Sequence, residues 1–183
     1  GTGSCSIQDA IRLTRSSLEA GVSTVLVLPP FYYRPQSEEG AFRYFSQLIE
    51  SVAEERLRVI FYNFPKLTGF SFSLELLMRL RERYGLVVAG IKDSSGNWEN
   101  MKMLARKMPD FSVYAGTEKF LLDILREGGA GCITATGNLT SPACQEVYRN
   151  WCSGNTDRAV QAQETLTHQR LTLQQKPFVS GLK

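Results

Sequence analysis

The segment "VVAGIKDSSG", Val87–Gly96, decides how the chain is read. Four apolar or small residues and an isoleucine run straight into a lysine, Lys92. Such a run, rich in β-branched residues, reads as a strand buried on both faces. An ammonium at its carboxyl end needs a reason, since lysines are placed freely elsewhere along the chain. Solvation accounts for one reading: Lys92 snorkels to water or pairs with Asp93. Chemistry accounts for the other. A solvated lysine has a pKa of about 10.4, so at pH 7 fewer than about one in 1,000 is neutral, a deficit of about 4.6 kcal/mol. Burial lowers that pKa, and only the neutral amine attacks a ketone.

Outward from this segment the same pattern repeats. "VSTVLVL" (22–28) precedes a helical pattern over 37–54, and "RVIFYN" (58–63) precedes "SLELLMRLRERY" (73–84). "LVVAGIK" precedes "NWENMKMLARKM", "FSVYAG" precedes "EKFLLDILREGG", and "GCITAT" (131–136) precedes "SPACQEVYRNW". The opening "GTGSCSIQDAIRLTRSSLEAG" reads as a strand end and its helix, with Ser6–Thr14 the capped start. Serial strand–helix units predict parallel strands joined by right-handed crossovers. Two architectures fit. One is a (β/α)8 barrel, which takes eight units and typically about 250 residues; the other is an open doubly wound sheet. "GTGS" is too short for a dinucleotide fingerprint. In both architectures the functional face lies at the carboxyl ends of the strands. Tyr62 ends the strand before that of Lys92, and neighbouring parallel strands run about 4.8 Å apart. Two readings of Tyr62 follow: it shares one pocket with Lys92, its phenol carrying protons to and from an adduct on the amine, or it is a core aromatic with its hydroxyl satisfied.

Bulk properties narrow the field. The 183 residues are 43% hydrophobic and 21% charged, enough for one sizeable core, and no linker marks a domain boundary. A net charge of +3 without a basic stripe argues against a nucleic-acid partner. No apolar run reaches the roughly 20 residues a membrane span needs. Cys5, Cys132, Cys144 and Cys152 lack C-x-x-C spacing, so neither zinc nor a redox pair is indicated, and free thiols in a reducing cytosol are expected. Cys132 reads as core, as do Trp98 and Trp151; "RLRERY" (79–84) reads as a solvated helix face. A single histidine, His168, disfavours a Ser-His-Asp triad or a histidine-rich metal site.

Five motifs, in order, carry a resemblance: "GTGS", "PPFYYRP", "YNFP…TG", "GIKDSSG" and "GCITATGN", over residues 1 to about 148, with a weaker fit in the tail "KPFVSGLK". Together they resemble the dihydrodipicolinate synthase/N-acetylneuraminate lyase family of class I aldolases. The resemblance implies a (β/α)8 TIM barrel with C-terminal helices, its N-terminal strands missing from this chain. Residues 1–137 would be barrel units of about three to eight, and 138–183 the last barrel helix and a C-terminal helical segment. It implies a cytoplasmic homo-oligomer, a dimer of dimers, acting on a 2-oxo acid and an aldehyde. The covalent imine serves in place of any metal or cofactor. Lys92 would form the imine, Tyr62 would pass protons, and Tyr32 would reach into a neighbouring subunit's site. The Ile133 carbonyl would face the lysine. Gly116, Thr117 and Glu118 would meet the substrate's distal end, with Thr136 and Asn138 on the same rim.

Two departures qualify it. The "GTTGE"-like turn that binds the substrate carboxylate is absent, and about 60 or more residues are expected upstream, since barrels typically need about 250. Leu67, in "YNFPKLTG", stands where synthases proper carry an arginine, and Lys66 beside it offers a point charge rather than a fork. The resemblance thus favours a lyase or aldolase on a hydroxylated 2-oxo acid. 4-Hydroxy-tetrahydrodipicolinate synthase is the alternative, and a non-catalytic 2-oxo-acid-binding homologue is the alternative of another class.

Overall fold

The computed structural model describes residues 1–34 and 36–175. The "KPFVSGLK" tail lies outside them. The chain divides into two compact units, one of residues 1–97 with 109–112, the other of residues 98–108 with 113–183.

The first unit contains α1 (Ile7–Glu19), β1 (Thr24–Val27), α2 (Glu38–Val52), β2 (Arg58–Asn63), the single turn α3 (Pro65–Thr68), α4 (Leu74–Tyr84) and β3 (Val88–Asp93). Ser6, Ser37 and Ser73 cap α1, α2 and α4, each side chain accepting a backbone N–H three residues on. The strands are parallel, β1 beside β2 and β2 beside β3, with a register shift at Val59/Ile60. Their helix-facing residues Val27, Val59, Phe61, Asn63, Ile91 and Asp93 are buried. Phe61 packs edge-on against Phe45 of α2, ring centroids 4.7 Å apart, and both contact Phe72. The apolar stripes of α2 and α4 (Leu48, Leu76, Leu77, Leu80) complete this core. On the opposite face Ile60 and Gly90 are buried, while Leu26, Tyr62 and Lys92 are only half-buried. The expectation of strands buried on both faces therefore holds fully for one face and in part for the other. Gly90 is required there by close approach: a Cβ would stand 2.3 Å from the Ser112 carbonyl oxygen. The outer edge of β1 is partly met by the chain's first residues. Thr2 N–H donates to the Leu26 carbonyl at 3.0 Å.

The second unit contains α5 (Trp98–Lys107), β4 (Ser112–Ala115), α6 (Leu121–Arg126), β5 (Gly131–Cys132), α7 (Gly137–Cys152) and α8 (Thr156–Gln174). β4 and β5 pair in parallel. Leu121, Leu122 and Leu125 of α6 pack on Val147 of α7 and on Ala159, Ala162 and Leu166 of α8. Trp98 stacks on Phe120 at 5.5 Å, and Trp151 joins the α6–α7–α8 cluster, as the packing reading expected. Two strand–helix expectations shift. β5 ends at Cys132 rather than Thr136, and α7 begins at Gly137, so that Pro142 sits inside the helix. Neither unit closes a barrel; the described residues hold five parallel strands, three in the first unit and two in the second.

Candidate active site

The β2–β3 register sets Tyr62 directly opposite Lys92 and Asn63 opposite Asp93. Successive strand residues face opposite ways, so each pair occupies its own side of the sheet. On the half-buried side the Lys92 Nζ stands 3.9 Å from the centroid of the Tyr62 ring, which is itself stacked on Phe64 at 5.7 Å and 13°. The amine therefore meets the ring face. On the buried side Asn63 donates through Nδ2 to Asp93 Oδ2 at 3.0 Å, and its Oδ1 accepts from Phe72 N–H at 3.3 Å. Asp93, 1% exposed, also accepts from the Ser95 N–H at 2.8 Å and the Ser95 hydroxyl. This polar knot locks the ends of β2 and β3 at one height. It also removes the reading in which Asp93 serves as partner to Lys92: the carboxylate is turned to the other face of the strand. The residues Asn63 and Ser95 were not singled out from the sequence. Asn63 ends β2 and Ser95 lies two residues past β3, and neither position announces a bond to Asp93.

Tyr32, in the loop after β1, is 74% exposed and contacts Tyr33 edge-on at 5.1 Å. Lys66 and Leu67 lie on α3, Leu67 37% exposed.

In the second unit Gly116, Thr117, Glu118 and Ile133 gather at the carboxyl ends of β4 and β5. Ile133 N–H donates to the Ala115 carbonyl at 3.0 Å. Thr117 caps the short turn Glu118–Phe120, its hydroxyl accepting from Lys119 N–H. Glu118 departs from its expected role. Its side chain is fully buried, and its carboxylate accepts hydroxyl protons from Thr134 (2.7 Å), Thr140 (3.2 Å) and Thr136. Arg170 of α8 adds its guanidinium at 3.3 Å. The oxygens are thus engaged inside the protein rather than offered to a substrate. Burial pushes this carboxyl's pKa up. The Thr136 and Thr134 hydrogen bonds outweigh it, helped by the Arg170 charge, and hold it below the usual carboxylate value of 4.5. Thr136, expected on a rim, is buried in this network, while Asn138 is exposed. Thr134, Thr140 and Arg170 went unread because 16 to 52 residues separate them from Glu118.

The structure thus brings Lys92 and Tyr62 together in one unit, and Gly116, Thr117, Glu118 and Ile133 together in the other. Among the described residues no group of three or more His, Cys, Asp or Glu lies placed to hold a metal ion. No helix among them is long and apolar enough to cross a membrane.

Comparison with known proteins fixes the family. The model of the dihydrodipicolinate synthetase family matches residues 1–183. The 4-hydroxy-tetrahydrodipicolinate synthase of Bacillus subtilis (strain 168) is 36% identical over 172 residues, 93% of this chain and 56% of its own length. A DapA-like lyase of Chloroflexus aurantiacus is 33% identical over 162 residues, 88% of this chain and 54% of its own. Among solved structures, YagE of E. coli K12, a prophage protein of the same family in complex with pyruvate, superposes with a TM-score of 0.90 at 29% identity. That match covers 100% of this chain and 61% of YagE. A parallel α/β fold with lysine and tyrosine side by side on adjacent strand ends defines the class, and the chain belongs to the dihydrodipicolinate synthetase family. It spans about half the length of the curated relatives it matches.

Proposed function

We propose that the protein is a Schiff-base-forming lyase or aldolase that makes or breaks a carbon–carbon bond between pyruvate, or a related 2-oxo acid, and an aldehyde. The observation that carries this reading is the Lys92 amine lying against Tyr62 on neighbouring strands. In the proposed sequence the neutral Lys92 amine adds to the C2 carbonyl. Tyr62 delivers a proton to the carbinolamine oxygen, water leaves, and a protonated imine forms. That imine draws electrons from the C3–C4 bond while the C4 hydroxyl returns a proton to the Tyr62 phenolate, so C3–C4 breaks, the aldehyde departs and the C2=C3 enamine remains. Reprotonation and hydrolysis release pyruvate and the lysine. The Asn63–Asp93 knot serves positioning, keeping both strand ends at the height where amine and phenol meet. Tyr32, exposed on its loop, is assigned to a second subunit's proton path in a homo-oligomer. No cofactor enters the scheme.

Pyruvate with borohydride is the test. Reduction of the imine should leave Lys92 heavier by one pyruvic acid less one oxygen atom. Absence of any adduct would refute the reading and favour a binding-only homologue.

The second reading, 4-hydroxy-tetrahydrodipicolinate synthase, is favoured by the name of the Bacillus subtilis relative. Leu67 weighs against it, because an aliphatic side chain offers none of the fixed donors of an arginine fork. Replacing Leu67→Arg is expected to raise condensation with aspartate semialdehyde about 10-fold or more, the scale of one charged hydrogen bond. No gain in a coupled assay would leave the argument from Leu67 without support.

A further inference from the structure

Phe64 follows the last residue of β2 and lies two positions beyond Tyr62, so strand alternation sets the two on one face. Their ring planes are 13° apart with centroids at 5.7 Å, the offset stack that aromatic pairs favour. The Lys92 Nζ stands 3.9 Å from the same Tyr62 centroid. The tyrosine ring therefore has two neighbours that bear on its plane, the amine and the ring of Phe64.

Several contacts fix Phe64 in turn. Its carbonyl accepts from the Leu67 and Thr68 N–H groups, each at 3.0 Å, and from the Thr68 hydroxyl at 3.1 Å. Thr68 is wholly buried, and its hydroxyl also reaches the Phe70 carbonyl at 3.0 Å and accepts the Phe70 N–H at 3.2 Å. Pro65 keeps the residue before it out of the helical region, and Phe64 sits at φ −136° and ψ 74°. The single turn α3 thus anchors the backbone from which the Phe64 ring projects.

We propose, resting on the Schiff-base reading, that Phe64 is a positioning residue for the reaction and acts through Tyr62. In that reading the Tyr62 hydroxyl has to meet the carbinolamine oxygen. The hydroxyl lies on the χ2 axis, so ring flips leave it in place and rotation about χ1 moves it. Tyr62 is only half-buried, and core packing alone does not hold χ1. The stack on an anchored ring resists that rotation and keeps the phenol in one rotamer before substrate arrives. An aliphatic side chain at position 64 would fill space without offering a ring plane.

The test measures imine formation with pyruvate by rapid mixing, a borohydride quench and mass spectrometry of the Lys92 peptide. Phe64→Leu is expected to slow imine formation about 10-fold or more, with the half-saturating pyruvate concentration near that of wild type. Phe64→Tyr keeps the stack and should restore the wild-type rate. In a Tyr62→Phe background the hydroxyl is already gone, so Phe64→Leu should add nothing to the loss. Phe64→Met repeats the comparison should the leucine variant not fold. A Phe64→Leu rate equal to wild type would overturn the assignment of Phe64, and so would a loss that persists undiminished in the Tyr62→Phe background, as packing alone would give. Either result would leave the Schiff-base reading standing, because the Lys92 adduct is still formed. A wild-type protein that yields no Lys92 adduct would instead refute that reading, and the role of Phe64 with it.

Discussion

Lys92 and Glu118 are both charged residues at the carboxyl ends of buried strands, and the fold treats them in opposite ways. Glu118 is wholly enclosed, and its carboxylate is bonded by three threonine hydroxyls and Arg170. Lys92 is half-buried and lies against an aromatic face. A buried charge with its hydrogen-bonding positions filled holds structure together. An amine left beside a ring and a phenol keeps its lone pair available for chemistry once it loses its proton. The two strand ends therefore differ: the second unit encloses its carboxylate, and the first leaves half-buried the amine to which the proposed function gives the chemistry.

The sharpest way to break this contrast is to remove the amine. Lys92→Ala is expected to reduce aldol or retro-aldol turnover by about 10⁴-fold or more, as loss of a covalent nucleophile does. Its stability should stay within about 1 kcal/mol of wild type in urea titrations, because the side chain is only half-buried. Glu118→Ala should do the reverse, costing about 3–5 kcal/mol because the buried ion pair with Arg170 is broken and three threonine hydroxyls lose their acceptor. A loss below about 1 kcal/mol would show that Glu118 does not hold the second unit together.

Acid titration sharpens the same point. The folded-state pKa of Glu118 is depressed, so its stabilisation is present above the unfolded carboxyl value and is lost as pH falls below about 4.5 through the folded value. Glu118→Gln should flatten that part of the stability-against-pH curve, and an unchanged slope would contradict the assignment.

Smaller effects follow. Tyr62→Phe keeps the ring that meets Lys92 but removes the hydroxyl. Turnover should fall by about 10²–10³-fold, with the melting temperature nearly unchanged. Ala53 ends α2 with φ at 52°, a left-handed conformation that strains an L-residue. Ala53→Gly should stabilise the first unit by about 0.5 kcal/mol, relief of strain being partly offset by the looser unfolded chain.

Much of this was legible in the sequence, and the losses have physical causes. The strand runs around Val25, Phe61 and Ile91 stood out because helices cover one side of them completely. The Tyr62–Lys92 neighbourhood followed from parallel register alone. "GCITAT" misled because β-branched residues favour strands; here Thr134 and Thr136 spend their hydroxyls on Glu118, and the chain turns toward α7. The helical pattern "SPACQEVYRNW" begins at Ser141 in the sequence, yet α7 already runs from Gly137. The partners of Glu118 come from the turn after β5, from α7 and from α8, and no local pattern announces a network spread over that distance. Alternation along β3, which turns Asp93 away from Lys92, was available from the sequence and was outweighed by their adjacency.

The most direct test of the central idea is a crystal structure of the protein grown with pyruvate. Continuous density between Lys92 Nζ and the pyruvate C2 carbon, with the Tyr62 hydroxyl within hydrogen-bonding distance of the adduct, is the expected result. Pyruvate bound without a covalent link beside a well-ordered Lys92, or joined to a different lysine, would contradict it.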